Sequence, residues 1–252
     1  MTAQGRSVLV TGGSRGIGAA IAREFAEQGD RVAVHYSTGS AAADEVLGSL
    51  IGDGHLAVQA DLRDPEQIRL MVDAAASSLG SIDVLVNNAG VFFAHPIESA
   101  TYEHWQQAWS DTLGVNLVGA ANTTWCALQH MPRGGGSRIV NVGSRGGFRG
   151  EPDGPAYGAS KAAIAAFGQS IAKALGSHGI SVTTIAPGFV DTEMAADHLI
   201  GDIGVEIRGQ SPFNRVPTAE EVAKAVFFLA GPDSEWASGA VLDFNGASYF
   251  RL

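Results

Sequence analysis

Short apolar runs rich in β-branched residues recur along the chain, at 7–11, 31–35, 56–59, 82–86, 138–142, 181–185 and 241–244. Runs of this length and composition predict strands covered on both faces. Between most of them the apolar period changes to that of a helix. Ile17, Ile21 and Phe25 fall four apart within 17–28, and Ile68, Met71 and Val72 mark 65–79. The segments 162–175 and 219–229 follow the same logic. Strand and helix alternate from start to finish, which predicts an α/β, doubly wound parallel sheet of about seven strands with helices on both faces. No linker, repeat or low-complexity segment interrupts the pattern, so residues 1–252 read as one domain, with the glycine run 134–136 as a surface turn. The stretch 191–217 carries neither period and contains Gly201, Gly204, Gly209 and Pro212. It is expected to be an irregular lid over a substrate site.

Composition narrows the picture. Hydrophobic residues are 45 % and charged residues 17 % of the chain, enough apolar material for a real core. The 33 glycines are about twice the usual usage of roughly 7 % and follow no period, so they point to tight turns rather than a fibrous repeat. A net charge of −10 without a basic stripe argues against nucleic-acid or anionic-membrane partners. Cys126 is the single cysteine and sits among apolar neighbours, so a buried core thiol and a reducing, cytoplasmic setting are expected. Residues 1–7 hold no long apolar core, no run reaches 18 apolar residues, and no metal site is expected.

The first strand runs directly into Thr11-Gly12-Gly13-Ser14-Arg15-Gly16-Ile17-Gly18, and a helix follows. Gly12 permits the tight turn, Gly16 lets the backbone approach a pyrophosphate, and Gly18 lets helix and strand pack closely. The helix N-terminus adds free N–H groups and a positive dipole end. A glycine-rich turn by itself is weak evidence of a ligand. Placed between first strand and first helix, it points to a Rossmann-type dinucleotide domain, although the spacing is Gly-x-x-x-Gly-x-Gly and not Gly-x-Gly-x-x-Gly.

From about residue 7 to residue 246 the chain resembles the short-chain dehydrogenases/reductases, in their single-domain branch. The resemblance rests on Thr11–Gly18, on Asn87-Asn88-Ala89-Gly90 after the fourth strand, on Asn116, on Ser144 thirteen residues before Tyr157, on Tyr157-x-x-x-Lys161, and on Pro187-Gly188 with Val190 and Thr192. It implies that Gly12, Ser14, Arg15, Gly16, Ile17 and Gly18 hold the cofactor phosphates. It also implies that Asn87, Ala89 and Gly90 stabilise the sheet and line the nicotinamide pocket, and that Pro187, Gly188, Val190 and Thr192 meet the carboxamide. Asp61, with Leu62, is similar to the family's adenine contact; a helix cap before Pro65 is the alternative for Asp61.

Hydride transfer to a ketone leaves charge on the carbonyl oxygen, which must receive a proton. A tyrosine with a pKa near 10 is a poor acid–base group at neutral pH, and a nearby cation lowers that value. Tyr157 and Lys161, four apart at the start of a helix, fall on one face and can act together. Ser144, at a strand end, would donate a hydrogen bond to the substrate oxygen. The resemblance further implies that Lys161 bonds the nicotinamide ribose and that Asn116 anchors a proton-relay water to Lys161.

NAD-selective dehydrogenases place a carboxylate at the end of the second strand, against the ribose 2′-hydroxyl. Here that position is Tyr36, followed by Ser37, and no carboxylate is available. Arg15 and Ser37 can instead serve a 2′-phosphate, so NADP(H) is expected over NAD(H). His35 either helps or packs at the strand end.

The substrate is expected to be a small carbonyl or alcohol, bounded by Phe92, Phe93, His95, residues 145–148, Phe189 and the lid. By pattern the nearest subgroup is the 3-oxoacyl carrier-protein reductases, with similarity in 214–221 and at Asn245-Gly246. Docking of an acidic carrier stays open: it would need a local basic patch, for which Arg133, Arg138, Arg145 and Arg149 are candidates. Small residues on 105–131 and 159–176 suggest helix pairing across a two-fold axis, with a homotetramer expected and a dimer as runner-up. Two other functions stay open, an alcohol, sugar or steroid dehydrogenase working oxidatively and an NADP(H)-sensing binding protein without turnover.

Overall fold

The structure is a computed structural model and describes residues 5–251. The sequence reading of 1–7 therefore falls partly outside the described residues. Seven strands form, β1 Ser7–Val10, β2 Arg31–Tyr36, β3 Leu56–Gln59, β4 Val84–Asn87, β5 Ser137–Val142, β6 Ile180–Pro187 and β7 Val241–Phe244. All pair in parallel in one sheet of order β3-β2-β1-β4-β5-β6-β7. The strand order reverses between β1 and β4, which opens a crevice at their carboxyl ends.

Among the described residues nine α-helices accompany the strands: α1 Gly16–Glu27, α2 Ser40–Ser49, α3 Pro65–Leu79, α4 Tyr102–Leu113, α5 Ala120–Leu128, α6 Gly146–Arg149, α7 Pro155–Leu175, α8 Gly201–Gly209 and α9 Ala219–Leu229. Val8 and Val10 join Ile21 and Phe25 of α1 and Val222 and Val226 of α9 in one core. Leu9, between them, faces the other core with Ile68 and Val72 of α3 and Ala127 of α5. Side chains alternate across a strand, so two apolar layers require apolar residues at every position. That is why these strands show no polar alternation. Truncating the fully buried Phe25 to alanine would cost about 3–5 kcal/mol.

Local signals fix the helix starts. Asp64 caps α3, accepting from the N–H groups of Glu66 and Gln67, with Pro65 in the first helical position. The cap ahead of Pro65 is therefore Asp64 and not Asp61. Thr218 and Glu221 form a capping box on α9.

Three features depart from the sequence reading. Helix α2 buries only Ala43 and Val46, too narrow a stripe to register as a period. The helix expected over 105–131 is interrupted by a π-helical segment, Gly114–Gly119, between α4 and α5. The stretch 191–217 is not irregular: it holds a 3₁₀ turn, Glu193–His198, and α8. Ile203 and Val205 of α8 are exposed while Gly204 and Ile207 are buried, so no apolar face marks it in sequence. A bridge between Asp191 and Thr218 closes this insertion at its base.

Candidate active site

A cleft of about 750 Å³ lies over the carboxyl ends of β1, β4 and β5. At one end sits the glycine loop. Gly12 and Gly16 have φ of 62° and 51°, in the left-handed region that side chains resist. A Cβ on Gly18 would strike the carbonyl of Gly12, so Gly18 sets the close seating of α1 on its own loop. His35 clamps the same loop: its Nδ1 accepts the Gly12 N–H at 3.0 Å, and its carbonyl accepts the Gly13 N–H at 2.8 Å. A main-chain N–H only donates, so Nδ1 is bare and Nε2–H donates to the Ala60 carbonyl at 3.1 Å. Burial pushes the imidazole below its ordinary pKa, which favours this neutral form.

Arg15, Tyr36 and Ser37 line this end of the cleft. Arg15 is exposed, its guanidinium 3.2 Å from where a Cβ on Gly39 would lie, and that guanidinium makes no hydrogen bond or ion pair among the described residues. Asp61 also lines the rim, but Arg63 grips its carboxylate at 2.7 Å and reaches Asp111 at 2.8 Å. The Arg63 hydrogen bond holds the Asp61 carboxyl below its ordinary range. Leu62, Ala89, Gly90, Pro187, Gly188 and Thr192 lie along the walls. Two expected wall residues are absent from it. Asn87 is buried beneath, its amide donating to Thr124 Oγ1 and Asn141 Oδ1, and the Val190 side chain belongs to the apolar core.

At the opposite end, the strand end of β5 presents Ser144 and the first turns of α7 present Tyr157 and Lys161. Ser144 stands beside the phenol and pulls its pKa downward, and its Oγ accepts the Gly146 N–H at 3.0 Å. Lys161 is buried, its Nζ 5.7 Å from the centre of the Tyr157 ring, and it donates to the Val142 carbonyl at 2.8 Å. Burial pulls the ammonium down to about 8. Burial also raises the Tyr157 phenol above its ordinary value, against the opposing pull of Ser144. The expectation that Lys161 lowers the phenol pKa is therefore not met by this geometry: the cation is turned to a carbonyl, and desolvation wins.

The π segment places Asn116 beside this group. A Cβ on Gly119 would lie 2.6 Å from the Leu62 carbonyl, so that glycine lets the segment close on the strand-end loop. The Asn116 amide exchanges hydrogen bonds with Val91, accepting at 2.8 Å and donating at 3.0 Å, and donates to Ser160 Oγ at 3.1 Å. Gly90 is the meeting point: a Cβ there would lie 3.3 Å from Lys161 Nζ and 3.5 Å from Asn116 Oδ1.

Phe93 lines the cleft as expected, but His95 does not; it is fully buried beneath the start of α7. The four arginines considered for a basic patch do not gather. Arg138 is buried near the amino end of β5, bonded to the Gly231 carbonyl, whereas Arg145 and Arg149 lie past its carboxyl end and share Gln210 Oε1. Sequence reasoning missed Arg63, Asp111 and Val91, which line the cleft from separate segments and carry no local motif, whereas Glu193 and Met194 line it from within the stretch 191–217.

The cradle of positive-φ glycines, the unpaired Arg15 and the Ser144–Tyr157–Lys161 group fit a dinucleotide laid along the cleft with its reacting ring beside Tyr157. Comparison with known proteins agrees. A family model for short chain dehydrogenases matches residues 6–200. The 3-oxoacyl-(acyl-carrier-protein) reductase of Staphylococcus aureus is 34 % identical over 246 residues, covering 97 % of this chain and 98 % of that one. The cis-4-hydroxycyclohexanecarboxylate dehydrogenase of Sinomonas cyclohexanicum is 37 % identical over 243 residues, covering 96 % and 95 %. A short chain dehydrogenase from Burkholderia cenocepacia, solved in complex with NADP, superposes with a TM-score of 0.86 at 36 % identity, covering 97 % of this chain and 98 % of that one. This chain therefore belongs to the short-chain dehydrogenase/reductase family of oxidoreductases, which work with a nicotinamide cofactor.

Proposed function

We propose that the protein is an NADPH-dependent carbonyl reductase in which Tyr157 supplies the proton, Ser144 holds the substrate oxygen, and Lys161 and Asn116 complete the catalytic group. When bound, the cofactor supplies the hydride. The chain's own part is to hold the carbonyl oxygen between the Ser144 hydroxyl and the Tyr157 phenol and to protonate it as charge develops. The observation that carries this reading is the convergence of Ser144, Tyr157 and Lys161 at one end of the cleft whose other end is the glycine loop. The Lys161 ammonium would serve the ribose and the developing phenolate.

NADPH is favoured over NADH by Arg15, a cation without a side-chain partner among the described residues, beside the end of β2, where Tyr36 and Ser37 stand and no carboxylate does. The Burkholderia relative, solved with NADP, supports the same choice. The substrate class is a small ketone or a 3-oxoacyl thioester, as in the staphylococcal relative's name. A second reading, oxidation of a ring alcohol, is supported by the name of the Sinomonas relative. A single-domain homotetramer completes the proposal. The deciding experiment follows NADPH oxidation at 340 nm, about the absorbance maximum of reduced nicotinamide, over acetoacetyl thioesters, simple ketones and cyclic keto acids. Consumption with one class identifies it; cofactor binding without consumption by any would leave a sensor and overturn the enzyme reading.

A further inference from the structure

Helix α7 begins without a cap of its own. Its N-cap residue, Gly154, has no side chain to accept, and Pro155 has no N–H to offer, so the first donor in need of a partner is the Ala156 N–H. Ala156 immediately precedes Tyr157. The partner comes from sixty-one residues away: His95 Nε2 lies 3.2 Å from the Ala156 nitrogen. Because that N–H can only donate, Nε2 is bare and the ring proton sits on Nδ1, which donates to the Phe93 carbonyl at 2.7 Å. The His95 N–H donates to the Asp153 carbonyl at 2.7 Å, and the ring packs edge-on against Trp105 of α4, 5.4 Å between centroids.

The short segment 91–95 thus touches most parts of the site. Val91 is locked to Asn116, Phe92 packs edge-on against Tyr157 at 5.4 Å, and Phe93 lines the cleft. A Cβ on Gly154 would collide with the Phe92 ring, so the segment closes tightly over the start of α7.

We infer that His95 is a positioning residue for the reaction: as a neutral Nδ1–H tautomer it fixes the first turn of α7 against the cleft wall and so sets the Tyr157 hydroxyl relative to Ser144. It touches neither substrate nor cofactor, and the inference rests on the reading of Tyr157 as proton donor. Misplacing a catalytic group by about 1 Å costs on the order of 10²-fold in rate.

The test compares His95→Leu, which fills the space without an acceptor, with His95→Gln, whose amide oxygen can replace Nε2. NADPH affinity, measured by fluorescence, gives the folded, binding-competent fraction, because the glycine loop lies at the other end of the cleft. Per binding-competent enzyme, His95→Leu is expected to lower kcat by roughly ten- to a hundredfold with NADPH affinity within about twofold of wild type, and to raise the solvent deuterium isotope effect as proton transfer becomes limiting. His95→Gln is expected to recover most of the loss. Equal kcat for His95→Leu and wild type, or an equal loss in both variants, would overturn the inference. Absence of NADPH-dependent turnover in the wild type would instead sink the functional reading beneath it. If His95→Leu does not fold, the Gln variant alone decides: wild-type kcat and isotope effect support the role, and a large loss in either refutes it.

Discussion

Lys161 Nζ donates to the carbonyl of Val142 and stands 5.7 Å from the centre of the Tyr157 ring, so the ammonium is held at the edge of the cleft by the end of β5 and not by the phenol. Its pKa is pulled to about 8 by burial alone. The cation therefore disappears from the free enzyme as pH rises through about 8, whereas Tyr157, raised by burial, stays protonated past that point. In the reductive direction kcat/KM should be flat through neutrality and fall above about pH 8. A Lys161→Met enzyme should be slower by roughly 10²–10³-fold and lack that alkaline limb. A wild-type limb no lower than the ordinary lysine value of about 10.5 would contradict the assignment.

Tyr157→Phe removes the phenol oxygen and keeps the ring that packs on Phe92. Turnover should fall by about 10²–10⁴-fold while NADPH affinity changes little. Single-turnover measurement at saturating cofactor separates the two, and a Phe variant within tenfold of wild type would remove Tyr157 from the mechanism.

Arg15 has no ion-pair partner among the described residues, so its replacement should act on the ligand alone. Arg15→Ala is expected to raise the NADPH KM by roughly ten- to a hundredfold, the worth of one or two charge-assisted hydrogen bonds of about 1.5–3 kcal/mol, and to leave the NADH KM nearly unchanged. Steady-state kinetics with both cofactors gives the ratio directly.

His35 offers a prediction about stability. The folded protein holds the imidazole neutral, with a pKa below its ordinary 6.5, while the unfolded chain takes up a proton at that ordinary value. The unfolded state therefore binds more protons below about pH 6.5, and stability falls with pH from there down to the folded pKa; above 6.5 the contribution is constant. His35→Asn keeps an acceptor for the Gly12 N–H and cannot titrate. Its melting temperature should drop less than that of wild type between about pH 7.5 and about pH 5. His35→Leu, lacking both hydrogen bonds, should lose about 1–3 kcal/mol at either pH.

The parallel sheet was legible because both its faces are buried: Val8, Leu9 and Val10 are all apolar, and only a strand between two layers needs that. Tyr157, Lys161 and the glycine loop were legible because their geometry is local, set by one helix turn or one tight loop. What escaped depends on distant partners. The π segment needs Gly119 against the Leu62 carbonyl, the cap on α7 needs His95 from a remote loop, and the direction of the Tyr157 pKa shift needs the burial that only the assembled cleft supplies. The placement of the Asn87 and Val190 side chains beneath the cleft wall escaped for a related reason. A motif fixes a segment's position, but the pleat decides which of its side chains face the ligand.

Two separate apolar surfaces bear on assembly. Val118 and Trp125, 51 % and 64 % exposed, lie on the π segment and α5, and α7 turns Ala159 and Ala166 outward, small enough for close helix approach. Beside the edge strand β7, to which Arg251 is tied, Phe250 is 70 % exposed, with Leu242 on the strand itself. Contiguous exposed apolar patches, and not single side chains, mark contact surfaces. An isologous contact on each surface would close a tetramer where the two two-fold axes are perpendicular, which is the assembly proposed. Light scattering at micromolar concentration should therefore give a species near four times 26.0 kDa. Trp125→Asp should break one axis and leave the other, giving a dimer with the NADPH site intact. A wild-type protein that scatters only as a 26.0 kDa monomer would show that both surfaces are free in solution, and the helix-pairing argument would fail with it.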